Sequence, residues 1–181
     1  DITVESDIPL GAGLGSSAAV VVAGIDAATR ALGVPLDRRE LADRAYRAEF
    51  EVQDGQASRA DTFCSTMGGA VRVAGDDCEP IDAPSLPFVI GFDGGAGDTG
   101  ALVAGVRSLR EKHDFAADAV ASIGDLVREG ESLLADADPT ASPSNELLDG
   151  LGELMDFNHG LLAALGVSAR SLDSMVWAAR E

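Results

Sequence analysis

Lysine is almost absent from this chain. Lys112 is the only one, and arginine supplies the other twelve of the thirteen basic residues. Against them stand 31 acids, for a formal net charge of -18. Such a surface repels polyanions, so neither a nucleic acid nor an anionic membrane is expected as a partner. It also repels itself, and high salt screens that repulsion. A halophilic, cytoplasmic setting is therefore expected. Cysteine is scarce as well: Cys64 and Cys78 are too few for a disulfide framework and match no zinc spacing. They read as small reduced apolar residues. His113 and His159 have no Cys or His near them in sequence, which excludes a zinc enzyme. No run of about 18 apolar residues occurs, so no membrane-spanning helix is expected, and no basic segment leads into an apolar stretch as in a signal peptide. The first residue is Asp1 rather than Met, so a fragment or processed product is expected.

What is present is a foldable core. Of the 181 residues 46% are hydrophobic, enough for one domain or two small lobes and too many for disorder. Residues 2–5 alternate apolar and polar, predicting a short strand. The apolar run that ends at Leu32, stopped by Gly33-Val34-Pro35, predicts a buried helix of about four turns. Asp37 with Glu40 has capping-box spacing and opens a second helix with Leu41, Ala45 and Ala48 on one face. Residues 54–58 read as a loop. Gly68-Gly69 precede a short strand over 70–73, and residues 75–87, with three prolines and several acids, read as a connection between lobes. An apolar strand over 88–92 follows, then a turn at Gly94, Gly95 and Gly97. Asp98 or Thr99 is placed to cap a helix containing Leu102, Val106 and Leu109. More helix is expected over 115–134, from a Ser142 cap with Pro143 first in the helix through to Gly166, and over 172–180. The pattern is an α+β fold in two lobes, 1–84 and 85–181.

Gly11, Gly13 and Gly15 alternate directly after the first predicted strand, with Ser16-Ser17 at the start of the helix. Glycine lets the backbone approach a ligand closely, and a helix N-terminus offers unpaired N–H groups and a positive dipole end. Together they suit a phosphate, and the hydroxyls suit a phosphate oxygen or a metal-bound water. No Gly-Lys-Ser/Thr follows, so this is not a Walker A loop, and the third glycine falls one residue early for the dinucleotide fingerprint. Taken alone, such a turn serves equally to pack a strand tightly against a helix.

A second constellation lies over 55–69, GQASRADTFCSTMGG. Asp61 sits among small residues beside Arg59. A carboxylate there can orient a substrate hydroxyl and accept its proton during phosphoryl transfer, and a neighbouring cation would keep it ionised. The competing reading is a helix-capping Asp with a surface Arg.

These two segments carry a resemblance. PLGAGLGSSAA, residues 9–19, resembles the second signature motif of the GHMP small-molecule kinases in its mevalonate kinase form, and 55–69 is similar to the segment of those kinases in which Ser, two residues and Asp precede Ser-Thr-x-Gly-Gly. DTGALVAGVR, 98–107, and NHGLLAALGVSARSLDSM, 158–175, resemble later segments of the same family, so the resemblance covers nearly the whole chain. It implies a two-lobe GHMP kinase fold, with the end of an ATP-binding N-terminal lobe over 1–84 and most of a helix-rich C-terminal lobe over 85–181. It implies that Pro9, Gly11, Ala12, Gly13, Leu14, Gly15, Ser16 and Ser17 wrap the nucleotide phosphates. Ser17 would help hold Mg²⁺ together with a glutamate, Glu49 in preference to Glu51, because the loop near Asp54 carries one residue more than the family pattern. It implies Asp61 as catalytic base and Thr99 as a minor substrate contact, with a plain helix cap as the equal alternative for Thr99. His159 is expected to be a packed or surface residue. The implied reaction is ATP-dependent phosphorylation of mevalonate, with ATP and Mg²⁺ as cofactors and a homodimer as a candidate assembly. The alternatives are another GHMP kinase, acting on phosphomevalonate or homoserine, and a catalytically inactive binding module.

The chain departs from the family in two places. The first motif, which contributes a lysine, and the glycine-rich third motif are both missing, and Lys112 is not placed to replace that lysine. The expectation is that the full-length protein is the kinase and that this piece alone is inactive.

Overall fold

The computed structural model describes residues 2–53, 55, 57–95 and 99–180. Contacts divide the chain into two compact units, one running to Asp82 and the other beginning at Ala83, with Gly94 and Gly95 grouped with the first. Among the described residues there are seven helices and one two-stranded antiparallel sheet, a helix-rich α+β arrangement.

The first unit holds α1 (Ser16–Ala31), α2 (Arg38–Val52), α3 (Arg59–Met67), β1 (Ala70–Ala74) and β2 (Asp77–Ile81). Helix α1 ends as its glycine predicts. Gly33 adopts φ +74°, the Gly33 N–H reaches the Arg30 carbonyl at 3.0 Å, and the Val34 N–H reaches that of Thr29 at 2.9 Å. This double closure satisfies carbonyls that the helix end would otherwise leave bare. Asp37 caps α2 by accepting the Glu40 N–H at 2.8 Å. On α2, Leu41, Ala42, Ala45 and Glu49 are buried, while Ala48 is half-buried.

Two apolar clusters hold these elements. Val22, Leu41 and Ala45 join α1 to α2, with Val21, Ile25 and Leu36 packed around them. Phe63, Ala42 and Cys78 join α3, α2 and the hairpin, flanked by Met67, Val71 and Val73. Phe63, at 1% exposed, is the largest fully buried side chain. It fixes α3 against its neighbours and so fixes Asp61, two residues before it.

Several expectations change here. Residues 2–5 are in no ladder, and Ile2 and Val4 are exposed. Residues 88–92 likewise form no strand, with Phe88, Val89 and Ile90 exposed. Alternating or apolar pattern sets strand propensity, but a strand also needs a partner edge to satisfy its backbone, and the described residues supply none. Helix α1 is less buried than its composition predicts, with only Ala18 and Val22 enclosed. The stretch expected to connect the lobes begins with a hairpin instead. Ala74 pairs with Asp77 across a two-residue Gly75-Asp76 turn, and Gly75 at φ +62° supplies the left-handed backbone such a turn needs. Pro80 is tolerated because β2 is an edge strand.

The second unit holds α4 (Thr99–Lys112), α5 (Asp114–Ala135), α6 (Asn145–Ala164) and α7 (Arg170–Ala179). Ala116, Ala119 and Leu165 form its buried centre, with Val106, Leu109, Ile123 and Leu161 around them. The cap of α6 is Ser144, whose hydroxyl accepts the Leu147 N–H at 3.1 Å. Ser142 and Pro143 therefore precede the helix, because the second serine of the pair lies at capping distance from a helical N–H. Gly166 closes α6 at φ +79°. The expected roles of Asp54, Gly97 and Asp98 lie outside the described residues. No described helix is long and apolar enough to cross a membrane.

Candidate active site

The glycine loop delivers the chain to the N-terminus of α1 in an unusual way. Gly11, Gly13 and Gly15 all have φ near +70°, at 72°, 70° and 69°. Gly15 occupies the N-cap position with no side chain to cap the helix, and the first turn of α1 holds no acid. In a chain with 31 acids, the first turn of this helix thus carries no acid of its own and no side-chain cap on its free N–H groups. Those groups and the helix dipole form an anion cradle. A β-carbon on Gly13 would meet nothing within 4 Å, so the reason for glycine there is its backbone angle and the open space in front of it. Pro9, Leu10, Gly11, Gly13 and Leu14 are exposed, and Ala12, Gly15 and Ser16 are half-buried.

Two carboxylates come to the base of this loop from different helices. Glu49, in the last turn of α2, is only 6% exposed and accepts the Ser17 hydroxyl at 2.9 Å. Burying a carboxylate is costly unless it is satisfied, and Ser17 meets part of that need. Glu51 is exposed and does not share this position; of the two glutamates, Glu49 is the one the fold brings to Ser17. Asp61 reaches the loop from the first turn of α3. A β-carbon on Gly15 would stand 3.6 Å from an Asp61 carboxylate oxygen. That distance is ordinary van der Waals contact, so what requires glycine at 15 is its φ of +69°.

Asp61 is not the cap of its helix. Ser58 is, accepting the Ala60 N–H at 3.1 Å. Nor does Arg59 serve as the counter-ion of Asp61. Its guanidinium is held by Asp43 at 2.5 Å and Asp76 at 3.1 Å. The closeness of Arg59 and Asp61 in sequence misleads because helical residues two apart project about 200° from one another, on nearly opposite faces. Cys64, one turn after Asp61, has its thiol pushed up by burial and further by the Asp61 charge, so it is a poor nucleophile at neutral pH.

Thr99 is the first residue of α4. It lies at an apolar groove of about 400 Å³ in the second unit, lined also by Leu102, Val106, Ile123 and Leu165. His159 contacts Asp173 at 3.2 Å, and the Ser168 hydroxyl donates to the same carboxylate at 2.6 Å. Among the described residues no group of three or more His, Cys, Asp and Glu is arranged to hold a metal ion. Sequence reasoning missed the Arg59 cluster altogether, because its members lie 13 to 17 positions apart and nothing in local spacing marks them.

Comparison with known proteins places the chain beside a family of small-molecule kinases. Residues 1–69 match the GHMP kinases N terminal domain, a stretch that holds the loop, α1, α2 and α3. The chain is 42% identical over 181 residues to a mevalonate kinase of Pyrococcus horikoshii, covering 99% of this chain and 52% of the relative. It is 41% identical to one of Thermococcus gammatolerans, with the same two coverages. A mevalonate kinase of Methanothermobacter thermautotrophicus is 41% identical over 185 residues, covering 99% and 57%. The chain spans about half the length of the curated relatives it matches. Its first 69 residues are thus similar to a GHMP kinase N-terminal domain, and nearly its whole length is similar to mevalonate kinases.

Proposed function

We propose that the full-length protein transfers the γ-phosphoryl group of ATP to the primary hydroxyl of mevalonate, giving 5-phosphomevalonate and ADP for isoprenoid synthesis. The observation that carries this reading is the convergence on one helix N-terminus, uncapped by any side chain, of Ser17 bonded to Glu49 and of Asp61 against Gly15. The relatives' names supply the substrate. In this reading residues 9–17 wrap the phosphates, with backbone N–H groups donating to their oxygens. Asp61 orients the substrate hydroxyl and takes its proton as the new P–O bond forms and ADP departs.

The Ser17–Glu49 pair fits Mg²⁺. Both are hard oxygen donors of the kind Mg²⁺ takes, and the hydrogen bond between them at 2.9 Å already brings the two together. Two protein ligands without a larger acidic cluster also suit an ion that keeps its waters and phosphate oxygens. When bound, the ion would neutralise charge on the transferring phosphoryl group. Ser17 and Glu49 would hold it beside the loop; Thr99 would be a lesser substrate contact. The direct test is metal-dependent turnover: ATP consumption that requires mevalonate, stops with EDTA and returns with MgCl₂. Mevalonate-dependent turnover that persists in EDTA would remove the metal assignment.

Gly13→Val tests the loop. Its β-branched side chain resists φ +70° and fills the space a phosphate would occupy. ATP affinity in the full-length protein should fall, read by titration calorimetry on a folded variant. Unchanged affinity would reduce the loop to a packing turn.

We also propose that the acidic surface is an adaptation to salt. With one lysine and a net charge of -18, the melting temperature should rise from dilute buffer into molar KCl as self-repulsion is screened. A flat or falling curve would end that proposal.

A further inference from the structure

Arg59 opens α3 two residues before Asp61, yet its side chain turns away to grip two other elements. Its Nη1 lies 2.5 Å from Asp43 on α2, and its Nε lies 3.1 Å from Asp76 in the hairpin turn. The guanidinium carbon stands 4.3 Å above the Tyr46 ring, which in turn leans on Phe50, the ring centroids 5.6 Å apart. The Arg59 side chain is only 19% exposed. Burial works against its charge, and the hydrogen bonds from Asp43 and Asp76 outweigh that and hold it above the ordinary arginine value. A planar fork on an aromatic face with two carboxylates is a contact that fixes direction as well as distance.

The grip ties together the two helices that carry the carboxylates of the candidate site, α2 with Glu49 and α3 with Asp61. Asp43, Tyr46 and Glu49 follow one another at intervals of three along α2, so neighbouring positions on that helix bear the clamp and then the Ser17 partner. We propose that Arg59 is a positioning residue, holding α2 and α3 in the register that places Glu49 on Ser17 and Asp61 against Gly15. This rests on the phosphotransferase reading above. The reacting groups would be set by a contact that touches neither nucleotide nor alcohol.

The test uses steady-state kinetics on the full-length protein. Arg59→Gln should lower kcat roughly ten- to hundredfold, the scale of a displacement near 1 Å, with KM for ATP changed by less than about threefold. Arg59→Lys should recover part of the loss, since it keeps the charge but not the fork. In an Asp61→Asn background, Arg59→Gln should add a clearly smaller loss than in the unmodified protein, because the share that acts through Asp61 is already gone. Wild-type kcat in folded Arg59→Gln, or the same loss repeated in the Asp61→Asn background, would overturn the proposal while leaving the base assignment intact. Near wild-type turnover in Asp61→Asn alone would overturn the base assignment, and this proposal with it. If Arg59→Gln does not fold, Asp76→Asn replaces it, since the Asp76 side chain is 94% exposed. It should lower kcat about two- to fivefold, the reach of an exposed ion pair. Wild-type kcat in both Asp76→Asn and Arg59→Lys would then overturn the proposal.

Discussion

Asp61→Asn in the full-length protein is expected to lower turnover by about 10²–10⁴-fold, the usual worth of a general base, with ATP affinity nearly unchanged. The substitution keeps the shape of the side chain and removes its ability to take a proton. The fold makes it a cleaner test than the sequence alone implies. A helix-capping Asp would tolerate Asn with little consequence, but capping of α3 already belongs to Ser58. Asp61 also forms no ion pair with Arg59, which Asp43 and Asp76 occupy. The structural loss is confined to a favourable first-turn charge, worth about 0.3–1 kcal/mol. A large fall in kcat with a small fall in melting temperature is therefore the expected pair of readings. Turnover near that of the unmodified protein, in a folded variant, would eliminate Asp61 as the base.

Glu49→Gln is expected to cost about 10²–10³-fold in kcat, the scale on which one preorganised electrostatic contact acts, and to raise the Mg²⁺ concentration needed for half-maximal rate. Glutamine keeps an oxygen that can accept the Ser17 hydroxyl, now at 2.9 Å, so the local hydrogen bond is preserved. It removes the negative charge of a residue that is only 6% exposed. With shape and hydrogen bond kept, the melting temperature should change little. Activity and stability would move apart. A purely structural Glu49 predicts the reverse, an active enzyme with altered stability. A Mg²⁺ titration of the variant beside a melting curve decides between them, and a wild-type metal requirement would remove Glu49 from the metal site.

How far the chain could be read in advance depended on whether the determinant was local. The stop at Gly33, the Asp37 cap, the glycine pair before β1 and the end of α6 at Gly166 are signals written within a few residues, and each lies where its chemistry requires. The site's components were legible too, because the loop and Asp61 belong to recognisable runs. Their assembly was not. Only the packing of Phe63 and Ala42 shows how α3 meets α2, while Glu49, preferred over Glu51 from the loop length, is the glutamate the fold brings to Ser17. The strands predicted at 2–5 and 88–92 failed for the complementary reason: propensity is local, whereas a β-ladder is a contract between distant segments. The hairpin was missed because prolines and acids over 75–87 masked a two-residue Gly75-Asp76 turn. The Arg59 cluster, spread from Asp43 to Asp76, had no sequence signature.

The central claim is that this constellation serves phosphoryl transfer to mevalonate, and one assay meets it directly. The full-length protein, supplied with ATP, MgCl₂ and in turn mevalonate, phosphomevalonate or homoserine, is followed by ³¹P NMR. The account predicts a new phosphomonoester and stoichiometric ADP with mevalonate, and neither with the other two alcohols or phosphates. Product formed from phosphomevalonate or homoserine in preference would move the protein to another GHMP activity. ATP bound without turnover of any of the three would contradict the account.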